Sequence, residues 1–281
     1  MIWLKNMEGE AIKFSVLMSV YNKENPAYLE RAIKSIWDDQ ILKPAEIIIV
    51  EDGPLSNGIL FVLDKWDKRL KDKFRRVQLE VNSGLGPALR AGLLKCKYNI
   101  VARMDSDDIS LPNRFNLQLN LINKKGIGIV GCWVEEFDEN NKVIGTRKTP
   151  QNHEDIYNFS RFRNPMNHPS VIFKKKLVIE VGSYENYLFF EDYHLWVKLL
   201  VNNVKFSNVN KVLLIMRNNS QINRRHGKKY LINEIIFINE LFKMKHINLL
   251  YYIFMIFSRP IVRIMPQKIT TIIYNILRGS K

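Results

Sequence analysis

Asp105, Asp107 and Asp108 crowd the end of the run Ile100-Val-Ala-Arg-Met-Asp-Ser-Asp-Asp-Ile-Ser110. Carboxylates this close repel one another, so at neutral pH they require a cation or hydrogen-bond donors beside them. Asp105 and Asp107 sit two apart just past a strand-like run, where a hard divalent ion collects oxygens from both. Two other readings compete: an acidic turn, and a phosphatase with Asp105 as nucleophile. An EF-hand calcium loop is excluded, because its sixth position must be Gly and here it is Ser110. Other residues able to do chemistry are Asp52 before Gly53-Pro54, Asn82 in Asn-Ser-Gly, Glu191-Asp192, His168, and Arg224-Arg225-His226. By spacing alone, Asp52 reads as a turn residue and Asp192 as a helix cap.

The elements that must position these residues follow from periodicity. Phe14–Val20 and Glu46–Asp52 are near-continuous apolar runs, as expected of buried parallel strands. Between them, Leu29, Ala32, Ile33, Ile36 and Trp37 recur at helical spacing. A helix over 58–71, a strand over Val77–Val81 and a helix from Pro87 to Lys95 lead into the strand that carries the aspartates. Strand and helix alternating in this way predict an α/β fold, a mostly parallel sheet with helices on both faces. In such sheets ligands sit outside the C-terminal strand ends. Tyr21, Asn22, Asp52, Asn82 and Asp105 all fall there and should line one crevice. Farther on, the pattern predicts a helix to Lys124, a strand over 128–134, a hairpin around Asn140-Asn141, a short strand over 170–173 and a helix from Glu191 to about Asn202.

At 281 residues and 46% hydrophobic, the chain can bury a sizeable core. Cys96 and Cys132 offer no disulfide framework, and the first residues lack the apolar core of a signal peptide, so a cytoplasmic location is expected. The net charge of +15 is uneven: from Arg224 to Lys281 stand eleven Lys or Arg against two Glu. Such asymmetry points to an anionic partner surface. A nucleic-acid-binding module would interleave its basic residues with exposed aromatics. Here they gather on a tail beside an apolar run, so no nucleic acid partner is expected.

Read together, Phe14-Ser-Val-Leu-Met-Ser-Val-Tyr-Asn22, Ile49-Val-Glu-Asp-Gly53, Asn82-Ser-Gly84, Arg103-Met-Asp-Ser-Asp-Asp108 and Glu191-Asp192 resemble the family 2 glycosyltransferases of the GT-A fold. The wording Glu51-Asp-Gly-Pro-Leu55 is similar to the bacterial branch that builds repeat units of exopolysaccharide, of the amylovoran type, and O-antigen. No Gln-x-x-Arg-Trp motif of the processive members is present, which favours one sugar per encounter. The resemblance implies a GT-A catalytic domain over 12–225, with a nucleotide-sugar half to about 110 and an acceptor half beyond it.

It also implies roles. Asp107 binds Mn2+ or Mg2+ directly, and Asp105 shares the metal or contacts the ribose. Arg103 contacts the nucleotide or neutralises the aspartates. Asp52 accepts the uracil N3–H, which favours a UDP-sugar donor, with Tyr21, Asn22 and Asn82 around the nucleotide. Asp192 deprotonates the acceptor hydroxyl for an inverting displacement, and Glu191 binds or orients the acceptor. His168 either borders the acceptor pocket or packs a loop. His226 closes on the diphosphate or the metal, and Arg224 and Arg225 suit phosphate geometry; a solvated basic loop is the alternative. The implied reaction moves a hexose, galactose in β1,3 linkage or else glucose or an N-acetylhexosamine, to a saccharide on a polyprenyl diphosphate.

The segment 226–281 reads as a helical basic tail. Leu249–Phe257 is wholly apolar but too short to span a bilayer, which takes about 20 residues. Beyond Pro266, Ile269, Ile272, Ile273, Ile276 and Leu277 make one stripe beside Lys268 and Arg278. Such a helix either lies in a membrane interface or packs on the catalytic domain. The expectation is a peripheral protein on the inner face of the bacterial cytoplasmic membrane.

Overall fold

The computed structural model describes residues 12–124, 126–138, 142–217 and 227–264. In chain order, β1 (Phe14–Val20), α1 (Pro26–Trp37), β2 (Glu46–Glu51), α2 (Asn57–Leu70), β3 (Phe74–Gln78), α3 (Leu85–Lys95) and β4 (Ile100–Met104) form the first half. The second half comprises β5 (Ile109–Ser110), α4 (Arg114–Ile122), β6 (Ile127–Phe137), β7 (Val143–Arg147), α5 (His153–Phe159), β8 (Ile172–Lys174), α6 (Lys175–Glu180), α7 (Glu191–Val201) and β9 (Lys205–Arg217). Two further helices follow, α8 (Lys228–Lys243) and α9 (Leu249–Ile264).

One sheet runs β3-β2-β1-β4-β8-β6-β9-β5, with β7 paired to β6. The first four strands are parallel, and β8 joins β4 antiparallel. β1 is central because every residue of its run except Ser19 is buried. Alternate side chains feed opposite layers. Val16 and Met18 pack with Leu29 and Ile33 of α1, Ile59 and Trp66 of α2 and Phe115 of α4. Leu17 packs with Leu89 and Leu93 of α3 and Leu195 and Trp196 of α7. The chain leaves β1 toward β2 on one side and toward β4 on the other, so their C-terminal ends border the switch point where α/β sheets bind ligands.

The strand expected over 77–81 runs instead from Phe74 to Gln78. Phe74 is buried opposite Ile47, whereas Val81 is exposed and has left the sheet. β9 is absent from the sequence reading, as are α5 and α6. β6 and β7 pair antiparallel as expected, with Glu135 opposite Thr146; the Asn140-Asn141 turn lies outside the described residues. α8 and α9 share a cluster with the outer face of α7, where Tyr230, Phe237 and Leu241 meet Phe190, Tyr193 and Val197. Arg263 of α9 donates to both carboxylate oxygens of Glu234 on α8, at 2.7 and 2.8 Å, with both side chains buried. The stripe beyond Pro266 lies outside the described residues.

Gly92 sets how closely α3 lies on the sheet: an added Cβ would come within 2.4 Å of Val50 Cγ2 and 2.5 Å of Leu17 Cδ1. Gly92→Ala is therefore expected to cost about 1–3 kcal/mol by overpacking, read as a lower urea midpoint. An unchanged midpoint would show that α3 rides higher on the sheet than described.

Candidate active site

β4 delivers its chain end between buried neighbours, so the aspartates that follow it have little freedom to move apart. Carboxylate oxygens of Asp105, Asp107 and Asp108 all lie within 4.8 Å of one another. The buried Arg103 pairs with Asp105 alone among them. The main-chain N–H of Arg217, at the end of β9, donates to Asp108 Oδ1 at 3.0 Å, and Asp108 Oδ2 has no hydrogen-bond partner among the described residues. Burial, reinforced by Asp105 and Glu24, pushes the Asp107 carboxyl up to about 7. Burial with Asp105 and Asp107 pushes Asp108 well above the carboxylate range. Positive charge is short here, and the donor set is hard oxygen. Such a set fits Mg2+ or Mn2+.

Asp52 stands where β2 ends. Its oxygens accept from the main-chain N–H groups of Ser83 (2.7 Å) and Gly84 (3.0 Å), so the side chain anchors the loop that opens α3. Asn82 Nδ2 donates to the Asp52 carbonyl at 3.2 Å. The loop approaches so closely that a Cβ on Gly53 (φ +84°) would lie 2.6 Å from the Asn82 nitrogen. Tyr21 and Asn22 are exposed at the end of β1.

Asp192 lies in the first turn of α7. Asn164 Nδ2 donates to its Oδ2 at 2.6 Å, and the Tyr193 main-chain N–H donates to its Oδ1 at 2.7 Å. The preceding Glu191 packs at α3, its Cγ 3.2 Å from where a Gly86 Cβ would lie. The N-termini of α3 and α7 therefore meet, which joins the Asp52 loop to the Glu191-Asp192 pair. Burial, then the charges of Arg103, Asp192 and Asp105, act on the Tyr184 phenol and raise its pKa overall. One hydroxyl thus senses both the Asp192 side and the Asp105 side of the crevice. Asp52, the aspartates after β4 and Asp192 accordingly belong to one region of the molecule.

His168 is buried, its Nε2 3.1 Å from the Tyr184 hydroxyl and its ring edge-on to Trp196. Burial and then Arg103 hold its imidazole well below the usual range, so it is neutral. Arg224, Arg225 and His226 lie outside the described residues; the segment holding them follows Arg217. Sequence reasoning missed Asn164, which had no signal beyond its place in a loop. It also missed Arg217, whose guanidinium stacks 3.6 Å over the Tyr28 ring and 4.5 Å over that of Phe137; a recognised β9 would have drawn attention to it.

Residues 15–189 match the model of glycosyl transferase family 2. The chain belongs to that family. It is 38% identical to the Escherichia coli UDP-Gal:alpha-D-GlcNAc-diphosphoundecaprenol beta-1,3-galactosyltransferase over 96% of this chain and 98% of that protein. It is also 38% identical to the amylovoran biosynthesis glycosyltransferase AmsE of Erwinia amylovora, over 93% of this chain and 98% of the relative. Among solved structures it is similar to a mannosyltransferase from Pyrobaculum calidifontis in complex with GDP-Man and Mn2+. That likeness has a TM-score of 0.62 at 15% identity and covers 84% of this chain and 65% of the other. Such a likeness supports the GT-A fold. The protein is a glycosyltransferase, and the phosphatase reading of Asp105 falls with that membership.

The raised Asp107 carboxyl has a consequence for stability. An acid whose folded pKa exceeds its unfolded value costs stability once it must ionise. For Asp107 that cost sets in above the ordinary value of 3.8 and grows until about pH 7. Asp107→Asn is expected to raise the melting midpoint of the metal-free protein at pH 8 and to abolish the rise that Mn2+ gives the parent chain. A variant still stabilised by Mn2+ to the full extent would remove Asp107 from the ligand set.

Proposed function

We propose that this chain transfers galactose from UDP-galactose, with inversion, to an N-acetylhexosamine carried on a polyprenyl diphosphate, forming a β1,3 linkage during O-antigen or exopolysaccharide assembly. The observation that carries this reading is the near end-to-end similarity to the E. coli enzyme whose name states that reaction. The layout of the crevice supports it.

In this reading the uridine lies at the ends of β1 and β2. Each Asp52 oxygen already accepts one main-chain N–H and retains a lone pair for the uracil N3–H. Tyr21, Asn22 and Asn82 border the nucleotide. Asp107 and Asp105 would hold Mn2+ or Mg2+, which would neutralise charge on the departing diphosphate. Arg103 pairs with Asp105 and holds its side chain in place. Arg224, Arg225 and His226, which lie outside the described residues, bind the diphosphate in this reading.

Asp192 takes the proton from the attacking hydroxyl. Hydrogen bonds from Asn164 and the Tyr193 main chain help fix the carboxylate plane before substrate arrives. A single carboxylate opposite the leaving group needs no covalent intermediate, so the displacement inverts the anomeric centre. Glu191 orients the acceptor, and neutral His168 supports Tyr184 behind the pocket wall. In this reading a lipid-linked acceptor calls for a peripheral enzyme at the inner face of the cytoplasmic membrane. Among the described residues, no helix is long and apolar enough to cross a membrane.

Asp192→Asn is expected to lower turnover by at least about a thousandfold while leaving UDP affinity in the presence of Mn2+ within about threefold, a difference below 1 kcal/mol. Rapid-quench transfer assays paired with calorimetry of UDP binding separate the two effects. Turnover near that of the parent chain would remove Asp192 from the role of base.

A further inference from the structure

A pocket apart from the aspartates after β4 remains without a role. It has a volume of 660 Å³ and lies between the residues after α5, the α8–α9 turn and the first turn of α9. Arg161, Lys243, Lys245 and His246 line it, and none of its lining residues carries a carboxylate. The Arg161 guanidinium lies 5.3 Å from the centre of the Tyr157 ring and 5.8 Å from that of Tyr251. Lys243 is largely exposed and reaches Glu240 only at 3.4 Å. Lys245 ends α8 in the left-handed region (φ 56°), where glycine is usual. His246 is buried; its Nε2 meets the Ser160 hydroxyl at 2.8 Å, and its Nδ1 has no partner among the described residues. Since Ser160 Oγ donates to the Tyr157 carbonyl, Nε2 is the donor to Ser160 and Nδ1 is left as an acceptor.

From this pocket a stripe runs along the outer face of α9. Leu250, Phe254, Phe257 and Ile261 recur every three or four residues and are 56–78% exposed. Neither arginine of this helix interrupts the stripe. Arg259 donates to the Phe162 carbonyl, and Arg263 is buried on Glu234. A continuous apolar face of this kind marks an interaction site.

We infer that this pocket and stripe together form a docking face for an acidic phospholipid bilayer. The pocket takes a headgroup phosphate, and α9 lies among the acyl chains. The match is one of charge and layout: cations at one end, hydrocarbon along the rest, as in the lipid itself. A second copy of this chain is a poor occupant, because a two-fold pairing would set the same cations against themselves. The face also lies next to the active crevice. Phe162 contacts both Arg259 and Tyr251, and Asn164, two residues on, donates to Asp192. Docking would thus bring the crevice to the surface; this last link rests on the proposed lipid-linked acceptor.

The test is flotation of the full chain with vesicles of phosphatidylcholine alone or mixed equally with phosphatidylglycerol. The parent protein is expected to float with the mixed vesicles. Lys243→Gln/Lys245→Gln should lose about tenfold in partitioning to them, and Phe254→Ser/Phe257→Ser should remain in the bottom fraction. All these side chains are exposed, and circular dichroism melts should match the parent. Equal binding by parent and variants would overturn the proposal. So would displacement by millimolar inorganic phosphate, or a dimer that the serine pair converts to monomer without vesicle binding. Transfer to a short-chain, water-soluble acceptor should be unchanged in both variants. Failure of the parent in that assay would count against the proposed reaction, while the flotation result would still decide the docking face.

Discussion

Negative charge confined in a small, partly buried volume is the constraint on which this structure turns. Of three carboxylates within 4.8 Å, only Asp105 is paired with Arg103, and burial drives the other two toward protonation. Left alone, such a cluster would spread apart. It is held because β4 ends in a buried sheet, β9 fixes Asp108 through the Arg217 main chain, and Ser106 donates to Glu24 at 2.5 Å. The fold thus keeps a charge deficit in place, which a divalent cation and a diphosphate together can resolve.

The same logic organises the other wall. Asp52 receives two main-chain N–H groups from the loop opening α3, and Asp192 sits in the first turn of α7. Helix N-termini carry partial positive charge and unsatisfied N–H groups, so each favours a carboxylate. The tight packing at Gly92 and Gly86 fixes where those two N-termini converge. Long-range sheet packing thereby sets the separation of Asp52 and Asp192.

Much of this could be read from the chain. β1, β2 and β4 announce themselves because central parallel strands are apolar throughout, and the residues at their ends point to the crevice. β3 is hard to place from sequence because Phe74-Arg-Arg-Val-Gln78 looks polar. As an edge strand it pairs Arg76 with Glu51 at 2.5 Å and keeps only Phe74 fully buried. β9 is hidden from sequence patterning because Lys205-Phe-Ser-Asn-Val-Asn-Lys carries polar residues that neighbouring loops satisfy; Asn208, for example, donates to the Pro150 carbonyl at 2.7 Å. Asn164 and Tyr184 lie in loops whose course depends on contacts remote in sequence, and local pattern is blind to those. The apolar run at 249–257 was ambiguous between packing and exposure. α9 does both, burying Met255 in the core while exposing Leu250 and Phe257.

The most direct test of the central claim is anomalous diffraction at the manganese edge, from crystals grown with UDP and Mn2+. The account requires a single strong peak within coordination distance of an Asp107 carboxylate oxygen and of the diphosphate, with Asp52 at the uracil and Asp192 facing the open side. A manganese peak bound elsewhere, or UDP seated in the crevice with no metal near Asp107, would contradict it.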